Sequence, residues 1–386
     1  MSKKHPLALY VGRFGHPDIS ASGQRVYNVG VMLRDSGWDV KYITAAHGSK
    51  SCYYDGFSFQ SVAPKGHVSK ARALCNLVFE GDLIRAAVEM CAEFSPSIVI
   101  LYNASGLLQQ RLMRVCRKLE IAVFGDVTEW YSASTYMDFA NLIRVCSVDW
   151  RIRHSDIHLA GVISISTFLH NYYQKRGVRS FELPPVFGDD AFVERTNRRD
   201  GPLRIIYAGS PAQKDNLSSV LKAYCMRVAK GDSIEFDVVG LTEGQLRDLF
   251  PDVIKPGPLP SGLKAWGRQP RHVVLQMLAS ADICFLIRES KRYARAGFST
   301  KFAECMCSGV LMACNTVGGA DLLLEDGVNG FIVDGSNAES IAAIIDEVSH
   351  MRTEDLSLMS RSTVHFARRT FSRDAYTSYL NEFLSV

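Results

Sequence analysis

The decisive stretch reads Thr300-Lys-Phe-Ala-Glu-Cys-Met-Cys-Ser-Gly309 and continues with Val310-Leu-Met-Ala-Cys314 and Val317-Gly-Gly319. Its first part predicts a helix that ends at Gly309, and its second part predicts a buried strand that ends in a glycine turn. The start of such a helix offers backbone N–H groups and a positive dipole end to a phosphate. Glu304, one turn further in, can accept two hydrogen bonds from vicinal hydroxyls such as those of a ribose. Alternatively, Glu304 only favours its helix N-terminus electrostatically.

Short apolar runs alternate with helical spacing on both sides of this stretch, which is typical of doubly wound α/β domains with parallel sheets. The predicted strands are Leu7–Val11, Val40–Thr44, Ser97–Tyr102, Ile121–Phe124, Gly161–Ile165, Leu203–Ala208, Ile234–Val239, Ile283–Ile287, Val310–Cys314 and Gly330–Val333. The alternation breaks at two consecutive prolines, Pro184 and Pro185, and at the polar residues that follow. We therefore expect a first domain at residues 1–187, a linker at 188–202, a second domain at 203–370 and a terminal helix at 371–386.

The charge is distributed unevenly. The net charge of the whole chain is only +4, too weak to indicate nucleic acid, but residues 1–187 hold 21 Lys and Arg against 15 Asp and Glu. A basic first half favours an anionic partner, such as a phosphorylated acceptor or an anionic membrane surface. The alternative is a solvated surface with a chance asymmetry.

The ten cysteines are scattered without a CxxC pair, which predicts reduced thiols and a cytoplasmic location. No signal peptide is visible, and no apolar run approaches the ~20 residues of a membrane span. We expect a protein of the cytoplasm that can also lie on the inner face of the plasma membrane.

The residues from Thr300 to Val333 resemble the retaining family 4 glycosyltransferases of the GT-B superfamily, and they are closest in motif to capsule and surface-polysaccharide members. The helix end Glu304–Gly309 and the closing turn Asp326–Val333 carry the match. The first Glu of the family's pair would lie eight residues before Glu304, where this chain has Ala296. The resemblance implies a GT-B fold: two Rossmann-like domains that face each other across a cleft, with the C-terminal helix crossing back to the first domain.

The resemblance also implies a nucleotide-sugar donor on the second domain. Glu304 would hold the ribose, and a loop from Tyr207 to Lys214 would grip the diphosphate; the alternative is a polar loop before a helix. Lys214 and Arg288 would stabilise the leaving diphosphate and count as catalytic. The donor-binding residues are predicted to be Gly23, Gly209, Ser210, Lys214, Gly267, Arg268, Arg288, Gly297, Phe298, Ser299, Thr300, Lys301 and Glu304.

The acceptor is expected on the first domain. A glycine-rich loop, Gly12 to Gly23, follows the first strand. Arg13 and Ser22 in this loop, and Gln24 directly after it, are predicted to contact the acceptor. Asp126, Glu129 and Trp130 follow a later strand. Either carboxylate can hydrogen-bond or deprotonate an acceptor hydroxyl, and Trp130 suits a sugar face. Alternatively, both carboxylates cap or cover a loop, with Trp130 in the core.

The implied function is retaining, metal-independent sugar transfer to a glycan or lipid-linked acceptor, with UDP-sugars favoured over GDP-sugars, in bacterial surface polysaccharide biosynthesis. No DxD-like pair follows a strand, so we predict no catalytic metal and no other cofactor. One alternative is a non-catalytic nucleotide-sugar-binding subunit that assists a partner transferase, which Ala296 favours. Another is a nucleotide-sugar 2-epimerase on the same fold, which would convert UDP-N-acetylglucosamine without an acceptor.

Overall fold

The computed structural model describes residues 5–18, 20–46, 48–63, 80–131, 139–193, 201–209, 215–317, 319 and 321–385. The chain forms two compact units. Unit 1 comprises Met1–Val186 with Arg373–Val386, and unit 2 comprises Phe187–Ser372. The last helix therefore lies in unit 1, as the resemblance implied, and unit 2 is inserted between the two parts of unit 1.

Unit 1 contains an eight-stranded sheet in the order β3-β4-β2-β1-β5-β6-β7-β8. All neighbours are parallel except β3 and β4. The strands are β1 Leu7–Gly12, β2 Asp39–Thr44, β3 Cys52–Tyr54, β4 Phe57–Ser61, β5 Ile98–Tyr102, β6 Ala122–Val127, β7 Gly161–Ser164 and β8 Ser180–Glu182. The helices are α1 Ala21–Asp35, α2 Gly81–Phe94, α3 Gly106–Lys118, α4 Phe139–Trp150, α5 Thr167–Gln174 and, at the end of the chain, α13 Thr377–Leu384. A π-helical turn, Arg151–Ser155, follows α4.

Unit 2 contains a six-stranded, all-parallel sheet in the order β11-β10-β9-β12-β13-β14. The strands are β9 Leu203–Ala208, β10 Ile234–Val239, β11 Leu263–Gly267, β12 Ile283–Leu286, β13 Leu311–Cys314 and β14 Gly330–Ile332. The helices are α6 Leu217–Ala229, α7 Glu243–Leu249, α8 Arg271–Ser280, α9 Arg292–Ala296, α10 Thr300–Cys307, α11 Ala338–His350 and α12 Thr353–Phe371.

Each sheet is covered on both faces, so its central strands are almost fully buried. In β5, β12 and β13 every residue is buried, which is why these strands read as unbroken apolar runs. The elements that the sequence did not predict are the edge strands β3, β8 and β11, the strand β4 next to β3, and the helices α2, α4, α6, α7 and α9. Strand β11 alternates buried and exposed side chains and so lacks the apolar run that marks its neighbours.

The chain passes from unit 1 to unit 2 between Val186 and Phe187, just before residues 188–202, which were expected to form a linker. Phe187 donates a backbone hydrogen bond to Phe371 O (2.8 Å) and forms a parallel bridge with Ser372. The outgoing and returning segments therefore run side by side. Ala191 and Phe192 are buried in the core of unit 2, so the first part of the expected linker is packed; residues 194–200 lie outside the described residues. None of the helices described combines the length and hydropathy that a bilayer-spanning segment requires.

Candidate functional site

The site in unit 2 lies at the carboxyl edge of the sheet, where β9 and β12 are neighbours. The strand order reverses there: β10 and β11 lie on one side of β9, and β12, the next strand in sequence, lies on its other side. Open parallel sheets bind ligands at such a switch point. Four polar side chains meet there: Tyr207, Asp215, Arg288 and Lys301.

Asp215 is the centre of this cluster, and its side chain is only 4% exposed. Its Oδ1 accepts a hydrogen bond from Arg288 Nε (2.9 Å), and its Oδ2 accepts one from the Tyr207 hydroxyl (2.8 Å) and one from Lys301 Nζ. Burial alone would raise the pKa of Asp215, but the positive charges of Lys301 and Arg288 outweigh it and lower the pKa below its ordinary value. Burial and the nearby Asp215 charge raise the pKa of Tyr207. The cluster thus holds a carboxylate, two cations and a neutral phenol.

Gly209 makes room for Lys301. Its φ is +131°, and a Cβ atom there would lie 3.2–3.3 Å from the Lys301 side chain. Lys301 Nζ also lies 4.3 Å from the centre of the Tyr207 ring, a cation–π contact. The structure therefore brings together Gly209, Arg288 and Lys301, three of the residues predicted to bind the donor.

Helix α10 begins at Thr300, and Ser299 is its N-cap, with Oγ accepting from Phe302 N (3.4 Å). Ser299 and Gly297 are buried, and Thr300 is partly exposed. Phe298, a predicted donor contact, instead packs against Phe302 and Phe371, with ring centres 5.9 Å apart in each pair. Its ring is thus part of the core of unit 2, and a contact between its backbone and the donor stays a prediction.

Glu304 lies one turn into α10 and remains about a quarter exposed. Its Oε1 accepts a hydrogen bond from Arg271 Nη1 (2.6 Å). Arg271 begins α8, immediately after the loop that contains Gly267 and Arg268. The pair thus joins the predicted ribose carboxylate to the segment that holds two further predicted donor-binding residues, Gly267, which is buried, and Arg268, which is exposed. Ser210 and Lys214 lie outside the described residues.

Asp126, a predicted acceptor base in unit 1, is fully buried. It accepts hydrogen bonds from the Tyr10 hydroxyl and from Arg25 Nε (2.9 Å), and Arg25 Nη2 lies 2.8 Å from its Oδ1. Arg25 in turn donates to Leu183 O (2.9 Å). Asp126 is thus a structural carboxylate that ties α1 to β6, and the prediction that it meets an acceptor is wrong.

Trp130 is also buried, with only 3% of its surface exposed. Its Nε1 donates to Asp149 Oδ1 (2.8 Å), and its ring lies 4.6 Å from that of Tyr172. The alternative from the sequence, that Trp130 lies in the core, describes it correctly. Glu129 is partly exposed beside Tyr102, and its charge contributes to raising the pKa of Tyr102 after the larger effect of burial.

The glycine-rich loop of unit 1 is folded onto the start of α1. A Cβ atom on Gly23 would lie 2.5 Å from the carbonyl oxygens of Gly15 and His16, so Gly23 permits close packing of the loop. Ser22 Oγ accepts from Gly15 N (3.3 Å), and Gln24 Nε2 donates to the Pro17 carbonyl (2.6 Å). In these positions Gly23, Ser22 and Gln24 shape the loop.

Arg13 is paired with a protein carboxylate. Its Nε donates to Glu80 Oε1 (2.9 Å), and Glu80 also accepts a hydrogen bond from Ser105 Oγ. Glu80 is nearly buried, whereas about a quarter of the Arg13 side chain is exposed. The predicted cation for an acceptor phosphate is therefore engaged, though still at the surface.

A pocket of about 280 Å³ opens at the carboxyl ends of β1 and β2, beside β4. Its walls combine an aromatic ring, a thiol, a hydroxyl, an imidazole and an ammonium group. The lining includes Gly15, His16, Thr44, Lys50, Cys52 and Phe59. Among the residues described, no three His, Cys, Asp or Glu side chains are grouped so as to hold a metal ion.

Sequence reasoning missed Asp215, Arg271 and the residues of this pocket. Asp215 follows Lys214 directly, and the only available signal was an acidic residue beside the predicted diphosphate loop. Arg271 begins α8 shortly after Arg268, but its contact with Glu304 spans 33 residues, which no local pattern encodes.

Residues 189–363 match the family model described as "Glycosyl transferases group 1". An amylovoran biosynthesis glycosyltransferase of Erwinia amylovora, AmsK, is 25% identical over 149 residues, which cover 38% of this chain and 36% of the relative. WcaL of Salmonella typhimurium, whose name refers to colanic acid biosynthesis, is 25% identical over 198 residues, covering 50% and 47%. The chain thus spans less than half the length of these curated relatives.

Among solved structures, sucrose-phosphate synthase from Thermosynechococcus elongatus has a TM-score of 0.73 at 12% identity, with 98% of each chain covered. HepE of Anabaena in complex with UDP-glucose has a TM-score of 0.69 at 14% identity, covering 99% of this chain and all of that one. At these identities the likeness concerns the fold alone, and it confirms the GT-B fold class.

Proposed function

We propose that the protein is a retaining, metal-independent glycosyltransferase that moves a hexose-like sugar from a nucleotide-sugar donor to a glycan or lipid-linked acceptor. UDP-sugars are the favoured donors over GDP-sugars. The group 1 match of residues 189–363 and the UDP-glucose bound to HepE support this choice. The names of AmsK and WcaL support a role in bacterial surface polysaccharide biosynthesis.

The observation that carries the proposal is the arrangement of Arg288, Lys301 and Glu304 at one edge of one sheet. Two cations beside the start of α10 suit the diphosphate, because they can neutralise the charge that develops on the leaving group. Glu304 lies one turn further along the helix, where its carboxylate can accept hydrogen bonds from the ribose.

For the chemistry, we propose attack on the face from which the diphosphate leaves, which retains the configuration at the anomeric carbon. Because Asp126 is buried and paired, the acceptor proton passes to an oxygen of the donor phosphate. Glu129, which is partly exposed, orients the acceptor hydroxyl.

The acceptor sugar is assigned to the pocket lined by His16, Lys50 and Phe59. An aromatic wall suits the apolar face of a sugar ring, and the Lys50 ammonium suits an acceptor phosphate. Lys50→Ala is expected to raise KM for a phosphorylated acceptor at least about tenfold, the scale of one charged hydrogen bond, while the affinity for UDP stays unchanged. An unchanged acceptor KM would remove the pocket from the proposal.

The direct test is a thermal-shift screen of UDP-, GDP- and ADP-sugars. A donor at 100 times its dissociation constant adds about 2.7 kcal/mol to the apparent stability. Stabilisation by UDP-sugars, lost in Glu304→Ala, is the expected result. A flat response to all three nucleotides contradicts the proposal.

A non-catalytic donor-binding subunit is the second candidate, and one observation favours it. Ala296, where the resembling family has a Glu, is fully buried at the end of α9, so no carboxylate is supplied there for the sugar. Hydrolysis of a bound UDP-sugar without acceptor separates the candidates. Slow release of UDP that disappears in Glu304→Ala supports the enzyme, and binding without any release supports the subunit.

We also propose that unit 1 contacts an anionic membrane from the cytoplasmic side. Leu142, Trp150 and Ile157 are exposed apolar side chains on and just after α4. The neighbouring helix α3 carries three Arg and one Lys with no acidic residue. Apolar side chains next to cations suit a bilayer surface. Cosedimentation with phosphatidylglycerol vesicles but not with phosphatidylcholine vesicles is expected, and equal recovery with both contradicts it.

A further inference from the structure

We propose that Asp215 is a positioning residue for the donor diphosphate: it fixes the orientation of Arg288 and Lys301 and reduces their combined charge from +2 to +1, so that the leaving group is stabilised and then released. This inference rests on the proposed function, since it assumes a nucleoside diphosphate at the same edge of the sheet.

The backbone around Asp215 is held firmly. Asp215 forms an antiparallel bridge with Arg288, and the next residue, Asn216, donates to Ile287 O (2.7 Å). On the other side, Asn315 exchanges two hydrogen bonds with the Arg288 backbone, of 2.9 and 2.8 Å. These hydrogen bonds hold the backbone of Asp215 against the carboxyl end of β12. The Asp215 side chain therefore extends from a backbone of fixed position.

The side chain then divides its two oxygens between the two cations. Oδ1 accepts from Arg288 Nε at 2.9 Å, while Oδ2 accepts from Lys301 Nζ and from the Tyr207 hydroxyl at 2.8 Å. Tyr207 also accepts from Lys301 Nζ at 2.6 Å. Each long, flexible cation is therefore held in one orientation before a ligand arrives, which reduces the ordering that catalysis requires.

Asp215 has two opposite effects on a bound diphosphate: its negative charge weakens the binding of the diphosphate, while its hydrogen bonds orient the two cations that bind it. Removing the carboxylate leaves two unopposed cations, and stronger attraction tightens the ground-state complex and product UDP. The same removal frees both cations, so they stabilise the departing diphosphate less well in the transition state. If Asp215 only stabilised the fold, its removal would change neither the affinity for the diphosphate nor the stabilisation of the departing diphosphate.

The test compares the wild type with Asp215→Asn and with a matched control, Asp282→Asn. Asp282 is also a buried carboxylate, but it lies at the amino edge of the same sheet, where its Oδ2 accepts from Arg204 N (2.9 Å). Calorimetry gives the affinities for UDP and for uridine, and UDP release from the UDP-sugar with the largest thermal shift gives kcat.

For Asp215→Asn we expect about tenfold tighter UDP binding, unchanged uridine binding and a kcat at least about tenfold lower, one power of ten being the effect of a single modest charge interaction. Asp282→Asn is expected to leave both affinities unchanged. UDP binding that is unchanged or weaker in Asp215→Asn overturns the inference while leaving the proposed function intact. A wild type that binds neither UDP nor a UDP-sugar overturns both.

A second variant covers the case in which Asp215→Asn does not fold. Tyr207→Phe keeps all three charges and removes one hydrogen bond that holds the carboxylate and one that holds Lys301. It is expected to lower kcat about threefold, less than one full hydrogen bond is worth, with UDP affinity unchanged. A kcat equal to that of the wild type contradicts the positioning role.

Discussion

Arg25 and Asp126 form a buried ion pair between residues 101 positions apart, with Arg25 Nη2 2.8 Å from Asp126 Oδ1. Both side chains are at least 94% buried, and the pair joins the first helix of unit 1 to the middle of its sheet. Two charges so far from water depend on each other, because removing one leaves the other buried without compensation.

Asp126→Asn is therefore expected to destabilise unit 1 by about 3–5 kcal/mol, measured by urea unfolding. Glu129→Gln is the matched control just after the same strand; since Glu129 is partly exposed, its substitution should change stability by less than about 0.5 kcal/mol. If Asp126→Asn had wild-type stability but no transferase activity, the result would support a catalytic role for Asp126 and contradict the structural role proposed here.

This pair also shows where the sequence was insufficient. The position of Asp126 after a buried strand was predicted, and the carboxyl end of a strand is a common ligand position. Whether such a carboxylate faces solvent depends on Arg25, which is distant in sequence. The same holds for Trp130, whose partner Asp149 lies on the following helix.

Glu304 and Arg271 allow the ribose role to be tested separately from the ion pair. Glu304→Ala should weaken binding of uridine and of UDP at least about tenfold, because a charged hydrogen bond contributes about 1.5–3 kcal/mol. Arg271→Leu removes the same ion pair but keeps the carboxylate, so its effect should be clearly smaller. Calorimetry with uridine measures both, and equal losses in the two variants would contradict a direct contact with the ribose.

Gly209→Ala tests the space that Lys301 occupies. Its φ of +131° makes any side chain costly, about 1–3 kcal/mol, and the added Cβ would press on Lys301. Gly231→Ala has a comparable φ of +96° with no atom within 4 Å. Both variants should lose thermal stability, but only Gly209→Ala should lose UDP affinity. Equal UDP affinities would show that Lys301 does not need this space.

The lowered pKa of Asp215 predicts a pH dependence of the stability of unit 2. Burial acts to raise the pKa, and Lys301 and Arg288 more than reverse it, so the ionised form stabilises the fold. This contribution is fully present above the unfolded pKa of about 3.9 and is lost as the pH falls through the lower folded value. The difference in unfolding free energy between the wild type and Asp215→Asn should therefore shrink between pH 5 and pH 3. A difference that is constant over this range contradicts the assignment.

The last helix, α13, is expected to be essential for unit 1. Leu380 is fully buried in its core, and Asn381 Oδ1 accepts a hydrogen bond from Trp38 Nε1 (2.8 Å). Leu380→Ala should destabilise unit 1 by about 2–5 kcal/mol. Tyr379, next to it, is 61% exposed, and Tyr379→Ala should have little effect. Unfolding curves with and without UDP identify the transition of unit 2, which Leu380→Ala should leave unchanged.

The surroundings of Glu304 in unit 2 were more predictable from the sequence than those of Asp126 in unit 1. The alternation of strands and helices and the position of Glu304 follow from periodicity and glycine turns, which are local properties. The pairing of Arg288 and Lys301 with Asp215 is not local: it connects the ends of β9 and β12 across 73 and 86 residues. To predict which cation can bind a ligand, one must know which carboxylate that cation is paired with in the folded protein.

The insertion of unit 2 into unit 1 has a consequence for biosynthesis. A ribosome finishes Phe187–Ser372 before it makes Arg373–Val386, the segment that completes unit 1. Unit 2 can therefore fold on the nascent chain while the core of unit 1 still lacks Leu380 and Leu384. A ribosome that stalls before Arg373 would leave a chain in which unit 2 is complete and unit 1 exposes apolar residues that its last helix normally covers.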